Sequence, residues 1–405
     1  MKAKQLDTDR HIIMRDGDYY IVNATALQIV GMMADKTPRE DISNFLCVKY
    51  GISVTDSGKY IKEVSDKMSG TDTSYILDKS KFSLDAPLSL QWILTKHCNL
   101  QCRHCYVEAK NKDFKFPPRD VALQIANKCI KANVFSITLT GGEAFLVPWF
   151  FDILELFLTN NVNVKVFTNG TLLNKNNRER LVHFANYRHS LSFLISFDGT
   201  REIHDQMRGY GNYEKSVSFA QFLLQNGFPV TANIVINKTN YKDIPNLIDA
   251  LETIKISSIQ ISHLFDMGYA HNNRDILVMS REDYQQYFRI MKDYYFNKRG
   301  ADSFMFSVPD DKKYIFLVNK ADGHMQKIEE NWECHAGRTK CTITPEFDVL
   351  LCPFFPEHKL GNLRRSTIKD LWANIARQKF LSFLDTNSQG RECPVIKGMS
   401  KYGRQ

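Results

Sequence analysis

The run Cys98-Asn99-Leu100-Gln101-Cys102-Arg103-His104-Cys105 places three thiols within eight residues. Three thiolates can hold three irons of a cubane [4Fe–4S] cluster and leave the fourth iron open. An open iron can bind a small molecule and pass it an electron, which a cluster with four protein ligands does poorly. The x₃-then-x₂ spacing departs from the C-x₂-C-x₂-C run of bacterial ferredoxins. A zinc site would need a fourth ligand, and His104 would have to supply it. Inert buried thiols are the remaining reading, but a loop after a strand is a poor place to hide three.

An apolar, strand-like segment (Leu88, Leu90, Trp92, Ile93, Leu94) precedes the cysteines, and Gly141-Gly142-Glu143 ends the next such segment. This combination resembles the radical S-adenosylmethionine (radical SAM) superfamily. The resemblance implies that Cys98, Cys102 and Cys105 ligate the catalytic [4Fe–4S] cluster, whose open iron is chelated by the methionine moiety of SAM. Reductive cleavage then yields a 5′-deoxyadenosyl radical that abstracts hydrogen from substrate. It further implies that Gly141 and Gly142 let backbone approach the ligand, while Glu143 offers a carboxylate to the SAM ammonium. Ser196-Phe197-Asp198-Gly199 is similar to a Ser-x-Asp-Gly stretch of peptide-modifying members, and His204-Asp205-Gln206-Met207-Arg208-Gly209 to a run carrying an arginine near the SAM carboxylate. Ser196, Arg208 and His104 are therefore expected among the cofactor-binding side chains. Thr168-Asn169-Gly170 also matches a family habit, though Asn-Gly is a common turn.

Six strand-like segments, near 90–95, 134–140, 162–167, 191–197, 229–236 and 258–265, alternate with helical stripes such as Val121/Ile125/Cys129 and Phe151/Leu154/Leu158. Successive βα units imply a parallel sheet with right-handed crossovers, and six are too few for a closed eight-stranded barrel. The expected fold is α/β: a partial (β/α)₆ TIM-like barrel over 87–298, the form the radical SAM family uses. It is flanked by an N-terminal winged-helix-like module (1–70), a linker (71–86), an unassigned bridge (299–330) and a cysteine-bearing extension (331–405).

In that extension, Cys341–Thr344, the turn Pro345-Glu346-Phe347-Asp348 and Val349–Cys352 read as a hairpin, followed by Leu360-Gly361-Asn362-Leu363 and a helix start at Ser366-Thr367. The layout resembles the SPASM/twitch extension of radical SAM maturases. It implies one auxiliary iron–sulfur cluster, [4Fe–4S] or [2Fe–2S], on Cys334, Cys341, Cys352 and Cys393, with a Cys₄ zinc site as the alternative. Sulfatase-maturing relatives carry a catalytic aspartate directly after the cysteine aligned with Cys352. Here Pro353 stands there and cannot accept a proton, which argues against dehydrogenation of that type. Cys47 and Cys129 lie on apolar stripes and read as structural.

In the first module, Ile12-Ile13-Met14 and Tyr19-Tyr20-Ile21-Val22 flank the turn Arg15-Asp16-Gly17-Asp18, a hairpin signal. Three helical patterns follow, over Ala24–Met33, from Thr37-Pro38 to Gly51, and through Tyr60, Ile61 and Val64. A hairpin followed by three helices resembles the precursor-peptide recognition element of ribosomal-peptide pathways, which binds a leader peptide as an added strand. An ordinary winged-helix appendage is the alternative.

The chain has 405 residues, nine cysteines and a formal net charge of +8. Residues 359–405 hold ten Lys/Arg against three Asp/Glu, a basic tail that reads as a solvated face, with nucleic acid or an acidic peptide as the alternative. Residues 1–70 balance ten against ten, which argues against a DNA-binding role for that segment, and no nucleic-acid partner is expected. No apolar run approaches a membrane span and no signal peptide is evident, so the expected location is cytoplasmic, without a membrane partner. The reading is a radical SAM maturase that installs a thioether or carbon–carbon crosslink in a precursor peptide, with flavodoxin or ferredoxin as electron donor. Two alternatives stand beside it: action on a porphyrin or other small cofactor precursor, and a non-enzymatic iron–sulfur electron carrier or redox-sensing binder.

Overall fold

The computed structural model describes residues 3–5, 10–15, 18–68, 84–109, 115–256, 258–299, 303–308, 311–319, 325–327 and 334–388. Cys393 and nearly all of the expected linker lie outside these residues. The chain divides into two compact units, Met1–Asp85 and Ala86–Gln405.

In the first unit, strands β1 (Ala3–Gln5), β2 (Arg10–Arg15) and β3 (Asp18–Asn23) form an antiparallel sheet in that order, β2 and β3 pairing from Arg10↔Asn23 to Arg15↔Asp18. Helices α1 (Ala24–Ala34), α2 (Arg39–Tyr50) and α3 (Val54–Met68) follow. Asn23 caps α1 by accepting from Ala26 N at 2.7 Å. Gly51 ends α2 in the left-handed region (φ 65°), where a Cβ is costly. Ile29, Ile42, Leu46 and Ile61 are buried together and give the unit its own core.

In the second unit, β4 (Ser89–Ile93), β5 (Ser136–Thr140), β6 (Asn163–Thr168), β7 (Leu191–Ser196), β8 (Val230–Ile236) and β9 (Ser258–His263) pair in parallel, each with the next. Between them run α4 (Arg119–Lys131), α5 (Phe150–Thr159), α6 (Lys175–His183), α7 (Arg201–Arg208), α8 (Asn212–Gln225) and α9 (Ile244–Thr253). After β9 come two single turns, α10 (Tyr269–Asn272) and α11 (Arg274–Leu277), then α12 (Arg281–Asp293). This is the open six-unit α/β architecture that the alternation predicts. In β8 the residues alternate buried and half-buried, with Ala232, Ile234 and Ile236 turned to the apolar core and Thr231, Asn233 and Val235 to the other face.

The stretch left unassigned by the sequence holds β10 (Ser303–Val308), β11 (Asp311–Asn319) and β12 (Met325–Lys327), a separate antiparallel sheet. Beyond it, β13 (Lys340–Ile343), β14 (Asp348–Leu350) and β15 (Lys359–Asn362) form the expected hairpin and a third strand, with α13 (Ile368–Trp372) and α14 (Ile375–Ser388) after them. These strands extend the barrel sheet: β13 pairs in parallel with β4, Cys341 opposite Leu90, giving the order β15-β14-β13-β4-β5-β6-β7-β8-β9. The outer edge of β4 is thereby occupied and does not close on β9. Trp92, fully buried, ties these parts together, its ring 6.2 Å from Trp149, 6.5 Å from Phe157 and 6.1 Å from Phe347.

Candidate active site

The C-terminal ends of the parallel strands border a cavity of about 340 Å³, on the face where parallel α/β barrels keep their chemistry. Cys98, Cys102 and Cys105 stand on the loop after β4 and all three line it, together with Ser196, Arg208 and His104. Each sulfur meets an N–H donor. Leu100 N lies 3.4 Å from Cys98 Sγ, Ala109 N lies 3.5 Å from Cys105 Sγ, and Arg208 Nη1 lies 3.7 Å from Cys102 Sγ. Asn169 Nδ2 adds a contact to Cys98 Sγ at 3.8 Å. Donors aimed at sulfur suit thiolates that hold an anionic iron–sulfur cluster and tune its potential. The donor set thus fits a cluster. In the bare protein, burial pushes Cys98 up to about 12 and Cys102 up to about 11, so both thiols are protonated at neutral pH.

The Gly-Gly-Glu run also ties neighbouring elements together. Gly142 N donates to Thr95 O at 2.7 Å and Glu143 N to His97 O at 2.9 Å, so the end of β5 is zipped to the start of the cysteine loop. A Cβ on Gly141 would sit 2.5 Å from Thr95 O, and one on Gly142 would overlap His97 O. The backbone these glycines admit is therefore that of Thr95–His97. Glu143 is 1% exposed and is not among the residues lining the cavity. Its carboxylate accepts from Thr168 Oγ1 at 2.8 Å, Asn169 N at 2.8 Å and Phe145 N at 3.1 Å, binding β5 to the end of β6. Burial pushes its pKa up, against those three bonds. Gly141 and Gly142 themselves do line the cavity.

Arg208, on α7, is also committed. Its Nε donates to Asp198 Oδ2 at 2.5 Å and its Nη2 to Asp198 Oδ1 at 3.4 Å, while Nη2 lies 3.2 Å from His104 Nε2. Burial works against the charge on Arg208, and Asp198 and Cys102 overcome it, so its pKa is raised. The same guanidinium, helped by His104, outweighs burial at Asp198 and holds that carboxyl below its ordinary value. The Asp198 backbone N–H donates to His204 Nδ1 at 3.4 Å, leaving the ring proton on Nε2, which has no partner. Burial, then Arg208, lowers His204 to about 4.

Several lining residues escaped the sequence reading. Asn233, Gln260 and Ser262 occupy alternating positions of β8 and β9 that face the cavity; the polar alternation Thr231-x-Asn233 was the available signal. Asn99 and Asn169 brace the loop, with Asn169 Nδ2 donating to Asn99 Oδ1 at 3.0 Å and Asn99 Nδ2 to Thr171 Oγ1 at 2.8 Å. An aromatic wall of Tyr106, Phe265 and Phe354 closes one side, with ring separations of 5.3 Å and 4.0 Å from Phe354. Nothing local in the sequence marks it, because Phe354 arrives from the C-terminal extension.

The auxiliary cysteines divide. Cys352 follows β14 and acts electrostatically on Tyr106 and Lys340. Cys341 is 1% exposed and neighbours on a strand point to opposite faces, so with Lys340 lining the cavity Cys341 turns into the core, where it feels Cys129. Thr342 pairs with Leu350, so Cys341 and Cys352 both stand toward the open end of the hairpin, away from its turn. Cys334 is half-buried against the same core.

A model of the radical SAM superfamily matches residues 92–251, and one of an iron–sulfur cluster-binding domain, SPASM, matches 334–394. The chain is 24% identical over 374 residues to the antilisterial bacteriocin subtilosin biosynthesis protein AlbA of Bacillus subtilis, covering 89% of this chain and 78% of the relative. It is also 24% identical over 314 residues to Fe-coproporphyrin III synthase of Methanosarcina barkeri, covering 73% and 76%. In fold it is similar to Streptococcus suis SuiB, solved bound to precursor peptide SuiA, at TM-score 0.63 and 16% identity over 97% of this chain and 92% of that one. The chain thus carries a radical SAM domain and a SPASM domain, making it an enzyme that uses S-adenosylmethionine, a [4Fe–4S] cluster that binds it, and auxiliary iron–sulfur.

Proposed function

We propose that this enzyme installs an intramolecular crosslink, thioether or carbon–carbon, in a ribosomally made precursor peptide. Cys98, Cys102 and Cys105 would hold the catalytic cluster, and Gly141, Gly142, Ser196 and Asn169 would present the ligand-facing wall for SAM. When bound, SAM and its cluster supply the hydrogen-abstracting radical. The chain's own residues set the rest. Arg208, fixed by Asp198, keeps a positive charge against Cys102, and the wall of Tyr106, Phe265 and Phe354 excludes water from the reacting substrate. Cys334, Cys341, Cys352 and Cys393 would hold auxiliary iron–sulfur, suited to accept an electron as the new bond closes. Epimerisation needs no such acceptor.

The observation that carries the peptide reading is the reach of the AlbA similarity. It covers 89% of this chain, more than the second unit alone provides. The first unit, a three-stranded sheet with three helices, would then bind the leader by strand addition. The porphyrin reading draws on the M. barkeri synthase, whose match covers 73% and needs nothing from the first unit. Among the described residues no Asp or Glu lines the cavity, which agrees with Pro353 in arguing against a carboxylate-assisted dehydrogenation.

The test is anaerobic incubation of the reconstituted enzyme with SAM, dithionite and the short peptide encoded beside its gene, followed by mass spectrometry. A product two hydrogens lighter, with linkage-specific fragmentation gaps, is expected. An unmodified peptide, with turnover instead on a porphyrin by protein lacking residues 1–85, would overturn the peptide reading.

A further inference from the structure

A second concavity, of about 500 Å³, lies against the same cysteine loop. Arg103, Gln206, Tyr210 and Lys215 line it, and no carboxylate does. Arg103 and Lys215 are exposed, and neither joins an ion pair among the described residues; Lys215 Nζ reaches only Asn212 Oδ1, at 3.2 Å. Tyr210 is 97% exposed. The nearest acids are engaged elsewhere: Asp205 accepts from Gly211 N and Tyr213 N at 2.8 Å each, and Glu214 pairs with Arg201 at 2.5 Å. Leu100 and Arg208 belong to the walls of both this concavity and the inner cavity, so a single layer of side chains separates the surface from the cysteines.

Reductive cleavage of SAM consumes one electron per molecule, which this chain does not generate. Electron transfer falls steeply with distance, so the donor must seat where the protein around the cluster is thinnest. We propose that the face formed by Arg103, Tyr210 and Lys215 docks a small acidic one-electron carrier protein of the flavodoxin kind. The carrier loses one electron, the cluster gains it, and no proton crosses. Two unpaired cations with an exposed aromatic ring suit an acidic partner that must bind briefly and release. The proposal rests on the radical SAM chemistry and adds the route by which its electron arrives.

The test compares the full-length reconstituted enzyme with the R103E/K215E double variant and with Y210A. Each is assayed for 5′-deoxyadenosine formation driven either by reduced flavodoxin or by dithionite, and for flavodoxin binding by calorimetry. Flavodoxin-driven turnover of R103E/K215E is expected to fall about tenfold or more, and to weaken with added salt in the native enzyme. Binding should weaken in parallel, while the dithionite-driven rate stays within about twofold, because steering acts on association alone. Unchanged flavodoxin binding and turnover in both variants, or service by a ferredoxin with none by flavodoxin, overturns the docking proposal. Absence of dithionite-driven turnover in the native enzyme instead overturns the radical chemistry beneath it.

Discussion

Glycine at 142 is dictated by a backbone neighbour, since a methyl group there meets the His97 carbonyl on the loop that carries the cysteines. Gly142→Ala must push that loop away, at a cost of about 1–3 kcal/mol as for other overpacked sites. The expected outcome is a lower unfolding midpoint and loss of catalytic-cluster iron while auxiliary iron is retained; iron counting and visible spectra check it. Asp198 and Arg208 form a buried pair, and removing one partner leaves an uncompensated charge, so Asp198→Asn should destabilise by about 3–5 kcal/mol, read by urea unfolding. His204 has its folded pKa lowered to about 4 from 6.5. The folded state therefore refuses a proton that the unfolded chain takes up. Its contribution to stability is complete above pH 6.5 and is lost as pH falls toward 4, by up to about 3 kcal/mol. His204→Gln should flatten that limb between pH 6.5 and 4 in urea midpoints measured across pH.

Among the elements, those with strong apolar rhythm were legible. The six parallel strands, α4, α5, α8, α9 and α12, and the hairpin turn at Pro345–Asp348 all fall where periodicity places them. The rest has physical reasons. Helix α6 buries only Asn177 and Leu181, so it has almost no apolar stripe to read. Helix α7 hides His204 and Arg208, polar residues whose burial depends on Asp198 from the loop after β7. That β13 pairs with β4 is a contact between residues some 250 positions apart, which no local pattern encodes. The same limit explains Glu143: its motif was visible, but its engagement by Thr168 and Asn169 was not. The aromatic wall likewise joins distant elements. Phe354→Ala removes the ring stacked 4.0 Å from Phe265 and opens the cavity to water. The expected result is 5′-deoxyadenosine released without matching peptide modification, seen as a rise of at least about threefold in that ratio, since misplacing a substrate by an ångström costs rate at the reacting atoms.

At the scale of the molecule, one sheet runs from the SPASM-region strands through the six parallel strands, so the thiols of both regions hang from a single continuous scaffold. The first unit has its own sheet and its own core, as a separable leader-binding module would require. No helix among the described residues is long and apolar enough to cross a membrane. The account depends on one iron left without a protein ligand at Cys98, Cys102 and Cys105. Electron paramagnetic resonance of the dithionite-reduced, anaerobically reconstituted enzyme, recorded with and without SAM, tests this most directly. The account predicts that SAM changes the reduced-cluster signal and that 5′-deoxyadenosine accumulates, both effects vanishing in C98A/C102A/C105A although auxiliary iron persists. A fully iron-loaded native enzyme with an unaltered spectrum and no 5′-deoxyadenosine would contradict it.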